Sequence, residues 1–103
     1  MAYSLEITES ARDDLDQILG YIVLQLKNPS AARNLYDHIY DLYQNLAAYP
    51  EMFSCAKDGR IAAKGFRIAS VENYIIAYKV DTTGEKVIIH NVFYGARVYQ
   101  KLL

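Results

Sequence analysis

The sequence predicts an α+β fold in which a pair of helices covers one face of a mostly antiparallel sheet. Residues 3–7 alternate between apolar and polar, and residues 8–50 contain two segments with apolar side chains at helical spacing. Residues 64–94 then contain three segments rich in Ile, Val, Tyr and Phe. Because the helical segments are grouped together and not interleaved with the last three strands, an α+β layout is favoured over a parallel α/β sheet. A length of 103 residues, 52% of them apolar, predicts a single domain over residues 1–103.

The first strand and the first helix are predicted from residues 3–26. Tyr3, Leu5 and Ile7 alternate with polar residues, which is typical of a half-buried strand. Thr8 is a suitable N-cap for the following helix, since its hydroxyl can accept from the free amides of the first turn. The apolar stripe that predicts an amphipathic helix consists of Ala11, Leu15, Ile18, Ile22 and Leu26.

A second helix is predicted from the break at Asn28-Pro29-Ser30 to Tyr49-Pro50. Pro29 lacks an amide donor and disfavours helical geometry at Asn28, so the break is short and the two helices should pack antiparallel. The apolar stripe is Leu35, Ile39, Leu42 and Leu46. A neighbouring stripe, Tyr36, Tyr40 and Tyr43, is interpreted as the edge of the core, with a groove for a partner helix as the alternative.

The second half of the chain predicts a connection and three antiparallel strands. Residues 51–63 have no clear period and contain the turn signal Asp58-Gly59, so we expect a surface connection. The strands cover residues 64–71, 74–80 and 86–94, separated by hairpin loops at Glu72-Asn73 and at residues 81–85. We expect the tail from Ala96 to Leu103 to form a short helix or an extended arm.

The two loops predict which strand residues share a face. If Val71 pairs with Tyr74 and Val80 pairs with Lys86, directly opposed side chains lie on the same side of the sheet. The predicted helix-facing set is Phe66, Ile68, Ile75, Ala77, Val87, Ile89 and Phe93. The predicted exposed set is Arg67, Tyr74, Tyr78, Lys86, His90 and Tyr94, among Ala69, Ile76, Ile88 and Val92. Cations, an imidazole and phenols together on one exposed face indicate a binding surface.

The net charge of −1 conceals a difference between the two halves. Residues 1–50 contain three basic and seven acidic side chains, whereas residues 51–103 contain eight basic and five acidic ones. The low overall charge argues against a strongly basic nucleic-acid binder. The positive second half favours an anionic partner, either phosphate or an acidic peptide, with an ordinary solvated surface as the alternative.

Composition also limits redox chemistry, metals and location. Cys55 is the single cysteine and is expected to be an inert thiol. With two histidines, His38 and His90, it cannot complete a four-ligand metal site unless carboxylates are recruited, so we expect no metal and no cofactor. Residues 18–24 form the longest apolar run, too short to span a bilayer, and the first ten residues lack a secretory signal pattern. We therefore expect a cytoplasmic protein without a membrane partner.

The layout and the segments ARDDLDQILGYI, NPSAARNLYDHI, YIIAYKV and VFYGARVYQKLL resemble the RelE/ParE family of bacterial type II toxin-antitoxin (plasmid stabilization) systems. The similarity spans nearly the whole chain, and its most specific part is residues 94–103. Ala96 and Val98 depart from the family ending, which has two basic residues after Gly, then Asp and an aromatic residue. The resemblance implies a small growth-inhibiting toxin that a cognate antitoxin neutralises by laying an arm across its surface, in a homodimer or a toxin-antitoxin heterotetramer.

The resemblance leaves the target and the enzymatic status open. ParE-like members poison DNA gyrase without nuclease activity, whereas RelE-like members cut mRNA in the ribosomal A site. Metal-free RNA cleavage needs a base, an acid and cations near the phosphate. The candidate catalytic residues are Arg67, His90, Arg97 and Tyr99, with Tyr94 as a further proton carrier.

Two departures from the nuclease pattern favour the ParE-like branch. Nuclease relatives place an Arg after the Tyr of the third strand, where this chain has Ile75, and Ala96 replaces a second cation. Binding of gyrase and antitoxin is then assigned to Arg67, Tyr74, Tyr78, Lys86, Tyr94, Arg97 and Lys101. A non-toxic relative that only binds the antitoxin is the remaining alternative. Structural roles are also open: a cation-π contact of Arg67 with Tyr78, and a hydrogen-bonded sheet position for His90.

Overall fold

The computed structural model describes residues 3–51 and 59–95. Four strands and three helices follow one another in the order β1 (Ser4–Ile7), α1 (Glu9–Leu24), α2 (Pro29–Ala48), α3 (Gly59–Ala63), β2 (Arg67–Val71), β3 (Tyr74–Asp81) and β4 (Lys86–Tyr94). This confirms the α+β prediction. The predicted C-terminal helix or arm lies outside the described residues.

The start of α1 has the predicted cap at Thr8, and the start of α2 has a cap at Asn28 that was not predicted. The Thr8 hydroxyl accepts the N–H of Ala11 at 3.1 Å, and the Asn28 side chain accepts the N–H of Ala31 at 3.2 Å. Each bond satisfies one of the amides that the first turn of a helix leaves without an internal partner. Pro29 follows Asn28 at the first position of α2, where its missing N–H costs no hydrogen bond.

The four strands form one sheet in the order β1-β4-β3-β2. β1 runs parallel to β4 and pairs with it only as far as Ile7 opposite Ile89, whereas β4, β3 and β2 are antiparallel neighbours. The β2–β3 hairpin pairs Val71 with Tyr74, as predicted. The N-terminal strand therefore covers only the first half of β4, and the second half extends beyond it.

The predicted register of the second hairpin is wrong by one residue. Val80 pairs with Val87, and Asp81 pairs with Lys86. The Asp81 carboxylate accepts the N–H of Gly84 at 2.9 Å, which closes a shorter loop over residues 82–85. A Cβ on Gly84 would come within 2.6 Å of Asp81 Oδ2, so a larger residue at this position would displace the carboxylate that closes the loop.

A β-bulge then changes the pairing along β4. Ala77 lies opposite Asn91 and Tyr78 lies opposite Ile89, so His90 is the extra residue. The carbonyl of His90 accepts the Thr8 hydroxyl at 3.0 Å, and the carbonyl of Ile89 accepts the Thr8 N–H at 3.0 Å. The bulge is therefore bound to the start of α1, and it reverses which β4 residues face the helices.

These two features overturn much of the predicted assignment of faces. The main core lies between the sheet and the pair formed by α1 and α2, and we call that side of the sheet the helix-pair face. Its buried strand residues are Ala69, Ile76, Tyr78, Val87, Ile89 and Val92. Val87 and Ile89 were placed correctly, whereas Tyr78, predicted to be exposed, is fully buried.

A smaller apolar cluster lies on the opposite side of the sheet, which we call the outer face. Ile61 of α3 packs there with Phe66, Ala77 and Phe93, and the cluster also includes Ala62, Ile68 and Ile75. The sheet residues of this cluster were predicted to face the helix pair. The short helix α3 also corrects the prediction that residues 51–63 form only a surface connection, since its Ile61 is completely buried.

The tyrosine stripe on α2 forms the edge of the core, as predicted. Tyr43 is 1% exposed, whereas Tyr36 is 44% exposed and belongs to the surface. Tyr40 lies between them, with ring centroids 4.5 Å from Tyr36 and 5.2 Å from Tyr43. The stripe therefore passes from solvent into the core, and its rings contact one another along the helix.

Candidate functional site

One group of polar and aromatic side chains meets on the outer face around Phe66. The His90 ring packs edge-on against the Phe66 ring with centroids 5.4 Å apart. The Lys79 ammonium lies 4.5 Å from the centroid of the same ring, within the range of a cation-π contact. One aromatic ring thus holds a cation and an imidazole close together on the open part of the sheet.

The surroundings of His90 favour the neutral form of its imidazole. Partial burial lowers the pKa of His90 below its usual value, and the positive charge of Lys79 lowers it further, while the Glu6 carboxylate acts in the opposite direction. A neutral imidazole can accept or donate a hydrogen bond at neutral pH. The His90 imidazole can therefore form hydrogen bonds with a polar group of a partner molecule.

Apolar residues surround the position that would carry a cation in a nuclease. Ile75 is partly buried and packs in the α3 cluster with Phe66 and Phe93. The side chain at position 75 therefore lies in an apolar environment.

A groove runs between α1 and the sheet edge where β3 begins and β4 ends, beside the β2–β3 turn. Its volume is about 880 Å³, and its walls are Asp14, Gln17, Ile18, Tyr21, Leu26, Asn73, Tyr74, Val92, Phe93 and Tyr94. The rings of Tyr74 and Tyr94 meet edge to face with centroids 5.2 Å apart. Burial raises the pKa of Tyr74, as do the nearby phenol of Tyr94, the Glu72 carboxylate and the phenol of Tyr21.

Asp14 fixes the floor of this groove to α1. Its Oδ2 atom accepts the side-chain amide of Asn91 at 3.1 Å and the backbone N–H of Val92 at 3.1 Å. Val92 lies in the half of β4 that extends past β1. The Asp14 carboxylate therefore accepts the backbone N–H of Val92, which has no neighbouring strand on the β1 side of β4 among the described residues.

The structure separates the predicted site residues. Tyr74 and Tyr94 meet in the groove, and Tyr78 is buried under the helix pair. Arg67 is half-buried at the edge of the sheet and lies directly opposite Tyr78. His90 and Lys86 belong to the outer face, on strand β4. The single exposed surface expected from the sequence does not form.

Three further predicted residues, Arg97, Tyr99 and Lys101, lie outside the described residues, so their roles stay predictions. The prediction also missed Lys79, Phe66, Asp14 and Tyr21. Tyr21 carried one usable signal, because an exposed aromatic residue at the end of an amphipathic helix lies off its apolar stripe. Asp14 contacts Asn91 and Val92 on β4, which lie 77 and 78 positions further along the chain. Local sequence patterns do not reveal contacts of this separation.

In residues 3–51 and 59–95, no three His, Cys, Asp or Glu side chains cluster closely enough to hold a metal ion. Neither α1 nor α2 nor α3 has the length and apolar character needed to cross a bilayer.

Three solved structures that match this fold come from toxin-antitoxin systems. The chromosomal ParDE system of P. aeruginosa matches with a TM-score of 0.69 and 21% identity, over 91% of this chain and 97% of that chain. RelBE2 from Mycobacterium tuberculosis matches with a TM-score of 0.60 and 19% identity, over 91% and 99% of the two chains. The archaeal RelE-RelB complex from Pyrococcus horikoshii OT3 matches with a TM-score of 0.60 and 16% identity, over 95% of this chain and 100% of that chain.

The sequence itself matches a family model. Comparison with curated proteins finds no significant match. The model described as the ParE toxin of the type II toxin-antitoxin system, parDE, matches residues 5–99. That range includes every described strand and helix except the first residue of β1. This chain therefore belongs to the ParE toxin family of type II toxin-antitoxin systems.

Proposed function

We propose that the protein inhibits bacterial growth by binding DNA gyrase in the cytoplasm and that a cognate antitoxin neutralises it. Membership of the ParE toxin family supports a toxin role. Similarity to ParDE and RelBE complexes supports an antitoxin partner. Binding, and not RNA cleavage, is the activity we propose for the toxin.

The observation that carries the choice of target is the environment of Ile75. RelE-like nucleases are expected to hold a cation at this position, where it would stabilise charge on the phosphate. In this chain the position belongs to the apolar cluster with Phe66 and Phe93. The Lys79 ammonium lies 4.5 Å from the centroid of the Phe66 ring, which also contacts the His90 ring. A surface of this kind suits binding to a protein better than cleavage of a phosphodiester.

Two measurements test the target. The purified protein is expected to inhibit DNA supercoiling by gyrase in vitro, and the neighbouring antitoxin-like gene product is expected to restore it. Primer extension on mRNA after induction is expected to show no new cuts in the ribosomal A site. Cuts at codon boundaries would instead establish a ribosome-dependent nuclease. Normal growth on induction without antitoxin would establish a non-toxic relative.

A further inference from the structure

The outer face continues past the α3 cluster onto the first half of β4 and onto β1. Val87 and Ile89 are buried under the helix pair, so Ile88 between them points to the outer face. In register, Ile88 lies between Lys79 on β3 and Glu6 on β1, and we call this row of three the Ile88 patch. A solvated sheet face ordinarily carries polar side chains, so a half-buried isoleucine at the centre of the row indicates a contact surface.

The Lys79 ammonium of this patch contacts an aromatic ring and not a carboxylate. It lies 4.5 Å from the centroid of Phe66, and in the described part of the chain no carboxylate forms an ion pair with it. The next lysine on this face, Lys86, lies opposite Asp81 in register. A cation-π contact orients a lysine without neutralising its charge, and an ammonium has three N–H donors. Lys79 can therefore donate a charge-assisted hydrogen bond to an anionic group of another molecule.

The charges around Ile88 suit one carboxylate better than a series of phosphates. His90 contacts the same Phe66 ring as Lys79, and its lowered pKa favours an uncharged imidazole. The Glu6 carboxylate is close enough to act on His90, so it adds a negative charge to the patch. Nucleic-acid binding depends on several basic side chains that each neutralise a phosphate. One lysine beside an isoleucine matches instead a single anionic group flanked by apolar side chains.

We propose that gyrase docks on the Ile88 patch and presents there a carboxylate flanked by apolar side chains. The carboxylate accepts from the Lys79 ammonium, and the apolar side chains cover Ile88. Charge complementarity and an apolar centre are the two features that protein interfaces of this kind combine. The inference rests on the proposed function and names the surface through which the toxin contacts its target.

Ile88→Glu and Ile88→Lys test the sign of the charge that the partner presents. Both variants place a flexible charged side chain at the same half-buried position, so their costs to folding are matched, and urea unfolding checks this. Surface plasmon resonance with purified gyrase free of DNA measures the affinity. Ile88→Glu is expected to bind about tenfold more weakly than Ile88→Lys, because like charges across an interface repel. Equal affinities, or tighter binding of Ile88→Glu, would overturn the proposal.

Lys79→Met and Arg33→Met form a second, matched pair of variants. Lys79→Met keeps an unbranched side chain against Phe66 and removes the charge, so association with gyrase should slow about fivefold in low salt. The difference from the wild type should shrink above about 0.5 M salt, which screens the ion pair. The comparison is made at about pH 8, where the His90 imidazole is neutral in both proteins. Arg33→Met removes an exposed cation from α2 and should associate at the wild-type rate.

The outcomes separate this inference from the proposed function. A wild type that neither binds gyrase nor inhibits supercoiling would refute the proposed function and the docking surface together. A wild type that inhibits gyrase while Lys79→Met associates at the same rate would refute the docking surface alone. Inhibition by a wild type that binds DNA but not gyrase free of DNA would assign the contact to phosphates and also overturn the proposal.

Discussion

The carboxylate of Asp14 on α1 accepts the backbone N–H of Val92 on β4 at 3.1 Å. A helix side chain thereby occupies the place that a neighbouring strand would take, at the point where β1 has ended. Together with the bond from the Asn91 amide, this contact attaches the first helix to the free part of the central strand. Exposed strand edges need such protection, because unpaired backbone groups invite pairing with other chains.

Asp14→Ala is expected to destabilise the protein by about 1–3 kcal/mol, because a partly buried backbone N–H and an amide lose their acceptor. Urea denaturation of the wild type and of Asp14→Ala measures the change in the free energy of unfolding. Asp16→Ala, at an exposed position of the same helix, is the control and should change it by less than about 0.5 kcal/mol. Equal effects of the two variants would contradict the proposed stabilising contact.

Thr8→Ala is expected to cost about 1–2 kcal/mol, because Thr8 both caps α1 and binds the bulge at His90. Ser10→Ala removes a hydroxyl from the exposed first turn and serves as the control. Unfolding by urea gives the stability change, and amide hydrogen exchange at Asn91 and Val92 should accelerate in Thr8→Ala. Unchanged exchange there would show that the bulge forms without Thr8.

Tyr43→Phe should leave stability unchanged or raise it by about 1 kcal/mol, because the buried Tyr43 hydroxyl has no hydrogen-bond partner among the described residues. Burial also raises the pKa of Tyr43 above its usual value of 10.0. Since the folded pKa exceeds the unfolded one, the neutral phenol stabilises the fold below the unfolded pKa, and that contribution is lost as the pH rises toward the folded pKa. Tyr43→Phe should therefore lose less stability than the wild type in alkaline solution. A clear loss of stability at neutral pH would reveal a partner for the hydroxyl.

His90 should make the wild-type protein less stable in mild acid. Its folded pKa is lowered from 6.5, so the stability is fully present above that value and is lost as the pH falls through the folded pKa. His90→Gln should flatten the stability curve between about pH 8 and pH 5, the range in which histidine titrates. Lys79→Met should raise the pKa of His90 in an NMR titration. An unchanged pKa would show that Lys79 does not act on the imidazole.

Arg97→Ala is expected to relieve growth arrest while leaving the fold intact. Colony counts after induction measure the arrest, and circular dichroism checks the fold. Arg33→Ala, at an exposed position of α2, is the matched control and should remain toxic. Full toxicity of a folded Arg97→Ala protein would remove Arg97 from the site.

The predicted strands of residues 74–80 and 86–94 were nearly correct in extent, because β-branched and aromatic residues bounded by turn signals identify strands locally. The site was predicted less well. Tyr74 and Tyr94 do lie together, but Tyr78 is buried and His90 is on the opposite face. The wrong loop length misplaced β3 by one residue relative to the first half of β4, which put the side chains of the two strands in the wrong relation. The bulge at His90 then reversed the faces along the second half of β4.

The sequence by itself determined the order of the four strands and the two long helices, the capping of α1 by Thr8 and the toxin family. Each depends on residues close together in the chain, or on a pattern that spans nearly all of it. Only the tertiary structure decided which residues face the helix pair and which line the groove. Those outcomes depend on the bond of Thr8 to His90 and the bonds of Asp14 to Asn91 and Val92, which join residues more than 70 positions apart. Such contacts form when α1 packs beside β4, and local propensity carries no information about them.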